Sequence, residues 1–195
     1  MAGWCDNYLA AARVRSGERL RIVVDEPFAR EAEELAEAAR TLGAEARIAC
    51  YPAARPILEP TAELMDTAEW ADASITLMQR TYVEEQPAGR ALLEALLSHG
   101  GRALASPGID HETLLGELSQ PMADVEPAAR RLLAVVEGAR ELHIRGAAGT
   151  DLRLRVDGRR WVDDALPLEP GGVANFPGAL REGICGEHGT ARGCH

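Results

Sequence analysis

Short apolar runs alternate with helix-spaced apolar positions along the first 140 residues of the chain. Residues 20–24, LRIVV, form a continuous run rich in β-branched side chains, which is typical of a strand buried on both faces of a parallel sheet. Between Pro27 and Gly43, apolar residues recur at helical spacing, which predicts a helix with a proline in its first turn and a glycine at its end. Similar patterns predict strands at 46–51, 73–78, 102–105 and 141–145, and helices at 61–70, 87–98, 111–118 and 125–139.

The alternation of strands with helices indicates the fold class. Strands joined by helices of ten to fifteen residues are typical of βαβ units, in which neighbouring strands run parallel. We therefore expect an α/β fold with an open, mostly parallel sheet and helices on both of its faces.

From residue 141 the pattern changes to strict alternation. Leu152, Leu154 and Val156 share one face of a predicted strand, and charged residues occupy the other face. A further strand near Trp161 favours an antiparallel element. We therefore divide the chain into an α/β domain at 1–140, the antiparallel start of a second domain at 141–178, and an atypical, disordered tail at 179–195.

The charge balance excludes two classes of partner. A formal net charge of -10 at pH 7 repels phosphate backbones and anionic lipids, so neither nucleic acid nor a membrane is expected as a partner. No apolar run reaches the roughly 18 residues of a membrane span, and the start MAGWCDNYL lacks the pattern of an export signal. We expect a cytoplasmic protein whose four cysteines are free thiols.

The loops that follow the predicted strands are the first places to look for a ligand site, because open α/β sheets bind ligands beyond the carboxyl ends of their strands. None of these loops carries a glycine-rich nucleotide-binding motif. Asp25 and Glu26 put two carboxylates where a dinucleotide's phosphates would lie, which argues against such a cofactor. The loops lie at 25–27, 51–52, 79–85 and 106–110.

Isolated polar residues have structural interpretations. We interpret Ser106 as a loop serine, because its surroundings, ASPGID, are not those of a nucleophile elbow. His99 is expected to cap a helix end, His111 to begin a helix and His143 to lie within a sheet, while Asp163 and Asp164 are interpreted as a solvated turn. The sequence therefore predicts no catalytic, cofactor-binding or metal-binding residue.

The end of the chain holds four side chains that could bind zinc: Cys185, His188, Cys194 and His195. Their spacing matches none of the usual zinc-binding patterns, because adjacent Cys194 and His195 are awkward partners in one tetrahedron. The segment is rich in glycine and has few apolar residues. These features favour disorder over a metal site.

Three short motifs resemble the thermophilic-type metallo-aminopeptidases, the aminopeptidase T-like family. They are Gly149-Thr150-Asp151-Leu152 at the head of a strand, the turn Gly158-Arg159, and Asn175-Phe176-Pro177. The likeness extends from about Arg15 to Gly178 and covers the N-terminal half of that family. This family is also similar to the 2,5-dihydroxypyridine dioxygenases.

The resemblance implies an aminopeptidase-like, metal-dependent hydrolase. Intact relatives would act on peptide N-termini, with two divalent metal ions (zinc, cobalt or manganese) activating a water molecule. In the family, a glutamate that binds metal stands at the position of Leu180, and the other ligands lie in the C-terminal half. Glu182 is displaced by two residues and takes no such role.

The departure after Gly178 suggests a frameshift followed by early termination, which the gene sequence downstream of that codon would test. We therefore expect a truncated, inactive protease fragment that binds no cofactor itself. Two alternatives stay open. The chain could be a fragment of a dioxygenase-like iron enzyme, or a non-catalytic binding or assembly module, with a homo-oligomer among its forms.

Overall fold

The computed structural model describes residues 3–119, 125–159, 161–163, 168–176 and 184–186. The chain divides into two compact units, which are described separately. The first comprises Met1–Pro121 and Leu166–Gly178, and the second comprises Met122–Ala165 and Ala179–His195. The predicted boundary near residue 140, and the start of a second domain at 141–178, stay predictions.

The first unit is built on a five-stranded parallel sheet with the strand order β2-β1-β3-β4-β8. This arrangement confirms the predicted α/β fold. Its strands are β1 (Arg19–Val24), β2 (Glu45–Cys50), β3 (Ala73–Met78), β4 (Arg102–Pro107) and β8 (Val173–Asn175). Its α-helices are α1 (Trp4–Ala11), α2 (Ala29–Thr41), α3 (Ala62–Trp70), α4 (Gln86–Leu97) and α5 (His111–Leu115), and 3-10 helices lie at Glu26–Phe28, Val83–Glu85 and Glu117–Ser119.

Helices cover both faces of the sheet, as the sequence predicts. On one face, Val23 of β1 packs in a buried cluster with Leu64 and Ala68 of α3 and Leu92 of α4. The alternate residues of β1 point to the opposite face, where α2 packs against β1 and β2. Strand β1 is buried over Leu20–Val24 because both of its faces are covered.

The first helix, α1, is absent from the predicted elements. Tyr8 is fully buried, and its ring meets that of Phe176 edge to face, with 4.5 Å between the ring centroids. The backbone N–H of Leu168 also donates to the carbonyl oxygen of Ala11. Helix α1 is therefore held by a segment that is far away in sequence.

Strand β8 is the fifth strand of the parallel sheet and pairs with β4, with Leu104 opposite Ala174. The sequence analysis assigns residues 173–175 to no strand. The run VAN is too short to show a strand pattern, and its pairing with β4 joins segments that lie far apart along the chain.

The second unit contains an antiparallel hairpin of β5 (Glu141–Arg145) and β6 (Asp151–Arg155). The predicted alternation along β6 is confirmed, since Leu152 and Leu154 are partly buried and the residues between them are exposed. Helix α6 (Val125–Val136) precedes the hairpin, and β7 (Trp161–Asp163) pairs antiparallel with β9 (Ile184–Gly186). The rest of the predicted tail, at 179–183 and 187–195, lies outside the described residues.

Alanine substitutions at two glycines of the first unit are expected to change the free energy of unfolding in opposite directions. Gly43 ends α2 with a φ of +92° and would place a Cβ against Ser16, so Gly43→Ala is expected to lower the free energy of unfolding by about 1–2 kcal/mol. Gly89 lies inside α4 with open space where a Cβ would be, so Gly89→Ala should raise it by about 0.5–1 kcal/mol. Urea unfolding followed by circular dichroism measures both changes, and a stabilising Gly43→Ala would contradict the helix end described here.

Within the described part of the chain, no helix is long and apolar enough to cross a membrane.

Candidate functional site

The strand order places a topological switch point between β1 and β3. The connection after β1 leads outward to β2, and the connection after β3 leads in the opposite direction to β4. Open α/β sheets bind ligands in the crevice that this divergence creates at the carboxyl ends of the strands. The residues that follow β1, β2 and β3 converge at this edge of the first unit.

Asp25 directly follows β1 and anchors the loop that follows β3. Its Oδ2 atom accepts hydrogen bonds from the backbone N–H groups of Gln79, at 3.0 Å, and Arg80, at 3.1 Å. Its backbone carbonyl accepts a hydrogen bond from Phe28 N–H at 3.0 Å. Asp25 is buried, with 6% of its surface exposed. The carboxylate is therefore held in place by the loop at the end of β3.

Arg55 extends from the proline-rich loop between β2 and α3 into the same crevice. Its Nε atom donates to Oε1 of Glu85 at 2.8 Å, and its Nη2 atom donates to Oε2 of the same carboxylate. The backbone N–H of Ile57 donates to Oε1 of Glu85 at 3.0 Å. The side chains of Arg55 and Glu85 are each 7% exposed, so this two-point ion pair is buried.

Two tyrosine rings flank the guanidinium of Arg55. Its central carbon lies 4.7 Å from the ring centroid of Tyr51 and 4.9 Å from that of Tyr82. Both distances suit cation–π contacts. The rings and the Glu85 carboxylate together fix the direction in which the remaining nitrogen, Nη1, points.

The pKa of Glu85 reflects a competition between burial and hydrogen bonding. Burial acts to raise this pKa, but the hydrogen bonds from Arg55 and from Ile57 N–H outweigh it and hold the pKa below its ordinary value. The bond to Glu85 likewise raises the pKa of Arg55. Arg55 and Glu85 are therefore both charged near neutral pH.

Two atoms of this crevice remain without a hydrogen-bond partner. Among the described residues, Asp25 Oδ1 and Arg55 Nη1 are the buried side-chain atoms in this condition. Nη1 lies 3.8 Å from Asp25 Oδ2, which is beyond hydrogen-bonding distance. Buried polar atoms are nearly always paired in folded proteins, so this acceptor and this donor, side by side, are exceptions that a further polar group would satisfy.

A second polar group lies at the ends of β1 and β4. The hydroxyl of Ser106 is fully buried and pairs with the Tyr8 hydroxyl at 2.7 Å, and burial raises the pKa of Tyr8 well above its usual range. His111 stacks on Phe28, and its Nε2 atom lies 3.3 Å from Oε1 of buried Glu31. Ser106 therefore pairs with a phenol and is not the exposed, base-activated serine of a hydrolase.

The structure corrects the interpretation of three polar residues. Asp163, interpreted as part of a solvated turn, is the last residue of β7, because its backbone pairs with Ile184 of β9. Ser106, predicted in a loop, is part of β4, because its backbone pairs with Leu77 of β3. His99 does not cap its own helix, since its Nε2 atom lies 2.8 Å from the carbonyl oxygen of Ala71, at the end of α3.

The other predicted polar residues fall into two groups. His111 is the first residue of α5, and His143 lies in β5 with its Nε2 atom 2.7 Å from Oδ1 of Asp151, so both expectations are confirmed. The residues that lie outside the described part are Asp164, Leu180, Glu182, His188, Cys194 and His195. The expectations for these residues stay predictions.

The metal ions implied by the family resemblance find no matching ligand set in the described part of the chain. No group of three or more His, Cys, Asp or Glu side chains there lies close enough to hold a metal ion. A two-metal centre needs several such ligands around each ion. The described residues therefore do not fit that centre.

Sequence reasoning identifies the loops of the crevice but misses the residue at its centre. The rule for open α/β sheets selects Asp25, Tyr51 and the 79–85 loop. Arg55 lies outside the selected positions, although it is the single basic residue of the segment PAARPILEP. A lone arginine among prolines beside a predicted carboxyl edge is the signal that could have found it.

Comparisons with known proteins find similar folds among solved structures. No protein-family model and no curated protein matches the sequence. Among solved structures, the chain is similar to wild-type AmpT from Thermus thermophilus, with a TM-score of 0.48 and 16% sequence identity over 87% of this chain. The chain spans 57% of the length of AmpT. No residue of this chain takes a role from that likeness.

Proposed function

We propose that this chain corresponds to the N-terminal α/β part of a metallo-aminopeptidase-like protein and does not itself release N-terminal amino acids. The observation that carries the proposal is Leu180, an apolar residue where the resemblance expects the first metal-binding glutamate. An aliphatic side chain offers no lone pair to a metal ion. Peptide N-termini as substrates, divalent metal ions as cofactors and association with further copies belong to the same proposal, for a complete relative.

The position of β8 supports the proposal. Asn175 ends β8, and the backbone N–H of Phe176 donates to the carbonyl oxygen of Ala105 at 2.7 Å. The first two residues of the motif that precedes the expected ligand in the family, Asn175 and Phe176, therefore lie at the carboxyl edge of the sheet. In a complete relative, two metal ions would lower the pKa of a bound water and polarise the scissile carbonyl. In this chain, the hydrogen bond from Phe176 N–H to Ala105 helps to hold β8 against β4.

The proposal predicts no metal-dependent hydrolysis by the 195-residue chain. We expect leucine p-nitroanilide with added Zn²⁺, Co²⁺ or Mn²⁺ to release p-nitroaniline no faster with the protein than with the metal alone. Leu180→Glu should not create turnover, because a single added carboxylate does not supply the several ligands that each metal ion needs. A metallo-aminopeptidase with its complete ligand set serves as the positive control. Clear metal-dependent turnover by the unmodified chain would overturn the proposal.

A non-catalytic binding module is the second candidate. One observation favours it: Asp25 Oδ1 and Arg55 Nη1 are unpartnered at the switch point of the sheet. Such an arrangement can bind a polar ligand without transforming it, because it presents one acceptor and one donor but no activated nucleophile.

A further inference from the structure

We propose that the switch-point crevice binds a small free α-amino acid, with glycine as the smallest member of the class. The ammonium group of the ligand donates to Asp25 Oδ1, and its carboxylate accepts from Arg55 Nη1. The inference goes beyond the proposed function and does not depend on it, because it requires neither a metal ion nor the hydrolysis of a peptide bond.

The hydrogen bonding of Asp25 favours an ammonium group at its Oδ1 atom. Two buried carboxylates, those of Asp25 and Glu85, lie near the single guanidinium of Arg55. Arg55 donates two hydrogen bonds to Glu85 and none to Asp25. Asp25 is left with two backbone N–H donors on Oδ2 and none on Oδ1. An ammonium group makes a charge-assisted hydrogen bond to this carboxylate oxygen, which is stronger than the bond that a water molecule donates.

The neighbouring donor selects a zwitterion over a simple cation. Arg55 Nη1 is held by the contacts of its own guanidinium with Glu85, Tyr51 and Tyr82, so it presents its N–H groups in a fixed direction. Asp25 Oδ2 lies 3.8 Å from this nitrogen, and Oδ1 belongs to the same carboxylate. An ammonium and a carboxylate separated by one carbon atom, as in an α-amino acid, can reach both unpartnered atoms.

Asp25 Oδ1 and Arg55 Nη1 are shielded from solvent. Because Arg55 belongs to the proline-rich loop between β2 and α3, a ligand enters when this loop moves outward and is covered when Arg55 returns to Glu85. Glycine is expected to bind best, because a longer side chain must be placed under the same cover.

The first test uses the complete chain and the backbone amides that contact Asp25. In ¹⁵N-labelled protein, glycine is expected to cause saturable chemical-shift changes at Gln79 and Arg80, whose N–H groups donate to Asp25 Oδ2. Glycinamide lacks the carboxylate and acetate lacks the ammonium, so each should bind at least about tenfold more weakly. The inference is overturned if up to about 10 mM glycine leaves both amides unchanged, as with a bridging water only, or if the saturable shifts lie elsewhere.

The second test compares two aspartates at opposite ends of the sheet. Asp25→Asn keeps an oxygen for the two backbone N–H groups but puts an NH₂ group in the place of Oδ1, so glycine should bind at least about tenfold more weakly. Asp72→Asn is the matched control. Asp72 precedes β3, accepts from Arg19 N–H at 2.8 Å and pairs with the Arg19 guanidinium, and its substitution should leave glycine binding unchanged. Equal loss in both variants, or none in Asp25→Asn, contradicts the assignment. The ligand series on the unmodified chain decides the matter if Asp25→Asn does not fold.

Discussion

Replacing Arg55 with methionine is expected to lower the free energy of unfolding by about 3–5 kcal/mol, because it leaves the buried carboxylates of Glu85 and Asp25 without their guanidinium. Methionine keeps most of the length and apolar surface of the side chain, so the change removes mainly charge and hydrogen bonding. Urea unfolding followed by circular dichroism measures the loss.

The matched control is Arg30→Met. Arg30 pairs with Glu34 one helical turn away on α2, and its side chain is 84% exposed. Exposed pairs of this kind contribute about 0.5 kcal/mol or less, so this variant should unfold almost like the unmodified chain. Similar losses in the two variants would mean that the Arg55 pair behaves like a surface contact, which would contradict its burial.

The difference in stability between the unmodified chain and Arg55→Met is also expected to depend on pH. Because the folded-state pKa of Glu85 lies below the ordinary value of 4.5, its stabilisation is complete above that value and is lost as the pH falls through the lowered pKa. In Arg55→Met the hydrogen bonds from the guanidinium are gone, and of the hydrogen bonds that lower this pKa only the one from Ile57 N–H is left. The difference in stability between the two proteins should therefore be largest near neutral pH and should narrow as the solution is acidified. A difference that stays constant down to about pH 3 would argue against the ion pair as its cause.

Replacing Phe176 with alanine is expected to cost about 3–5 kcal/mol of unfolding free energy, because a fully buried aromatic ring leaves a cavity beside Tyr8. The residue also follows β8, so its loss should loosen the pairing of β8 with β4. The N–H of Ala103 donates to the carbonyl oxygen of Gly172 at 3.0 Å. Relative to the unmodified chain, amide hydrogen exchange at Ala103 should speed up more than exchange in β1.

Val173→Ala is the control for this change. Val173 is the first residue of β8, which Phe176 follows, but its side chain is 47% exposed. Its truncation should lower the free energy of unfolding by less than about 1 kcal/mol. If Phe176→Ala lowered the free energy of unfolding no more than Val173→Ala, the result would contradict the burial of Phe176 against the sheet.

The parts of the fold that the sequence predicts are those fixed by neighbouring residues. Strand β3 has its predicted bounds, because the apolar run ASITLM is buried between other strands. The helix predicted at 61–70 begins after its N-cap, Thr61, whose side chain accepts a hydrogen bond from Leu64 N–H at 3.3 Å. Both signals lie within a few residues of the structure that they determine.

The parts that it does not predict depend on contacts between distant residues. Helix α1 is stabilised through Tyr8, whose partners Ser106 and Phe176 lie far along the chain. In the crevice, the loop of Asp25 is predictable from the strand rule, but the pairing of Arg55 with Glu85 joins two separate loops. Neither residue carries a local pattern that names the other.

The position of β8 has a consequence for synthesis on the ribosome. Strand β4 has β3 on one side, and its other side is completed only by Val173–Asn175, after the chain has passed through Met122–Ala165 of the second unit. Because translation proceeds from the N-terminus, the backbone groups on that second side of β4 stay unpaired while that segment emerges. An unpaired edge of a parallel sheet can pair with another chain. We therefore expect this edge to be open in the nascent chain between the synthesis of β4 and that of Phe176, and slower translation there to lengthen its exposure to chaperones and to misassembly alike.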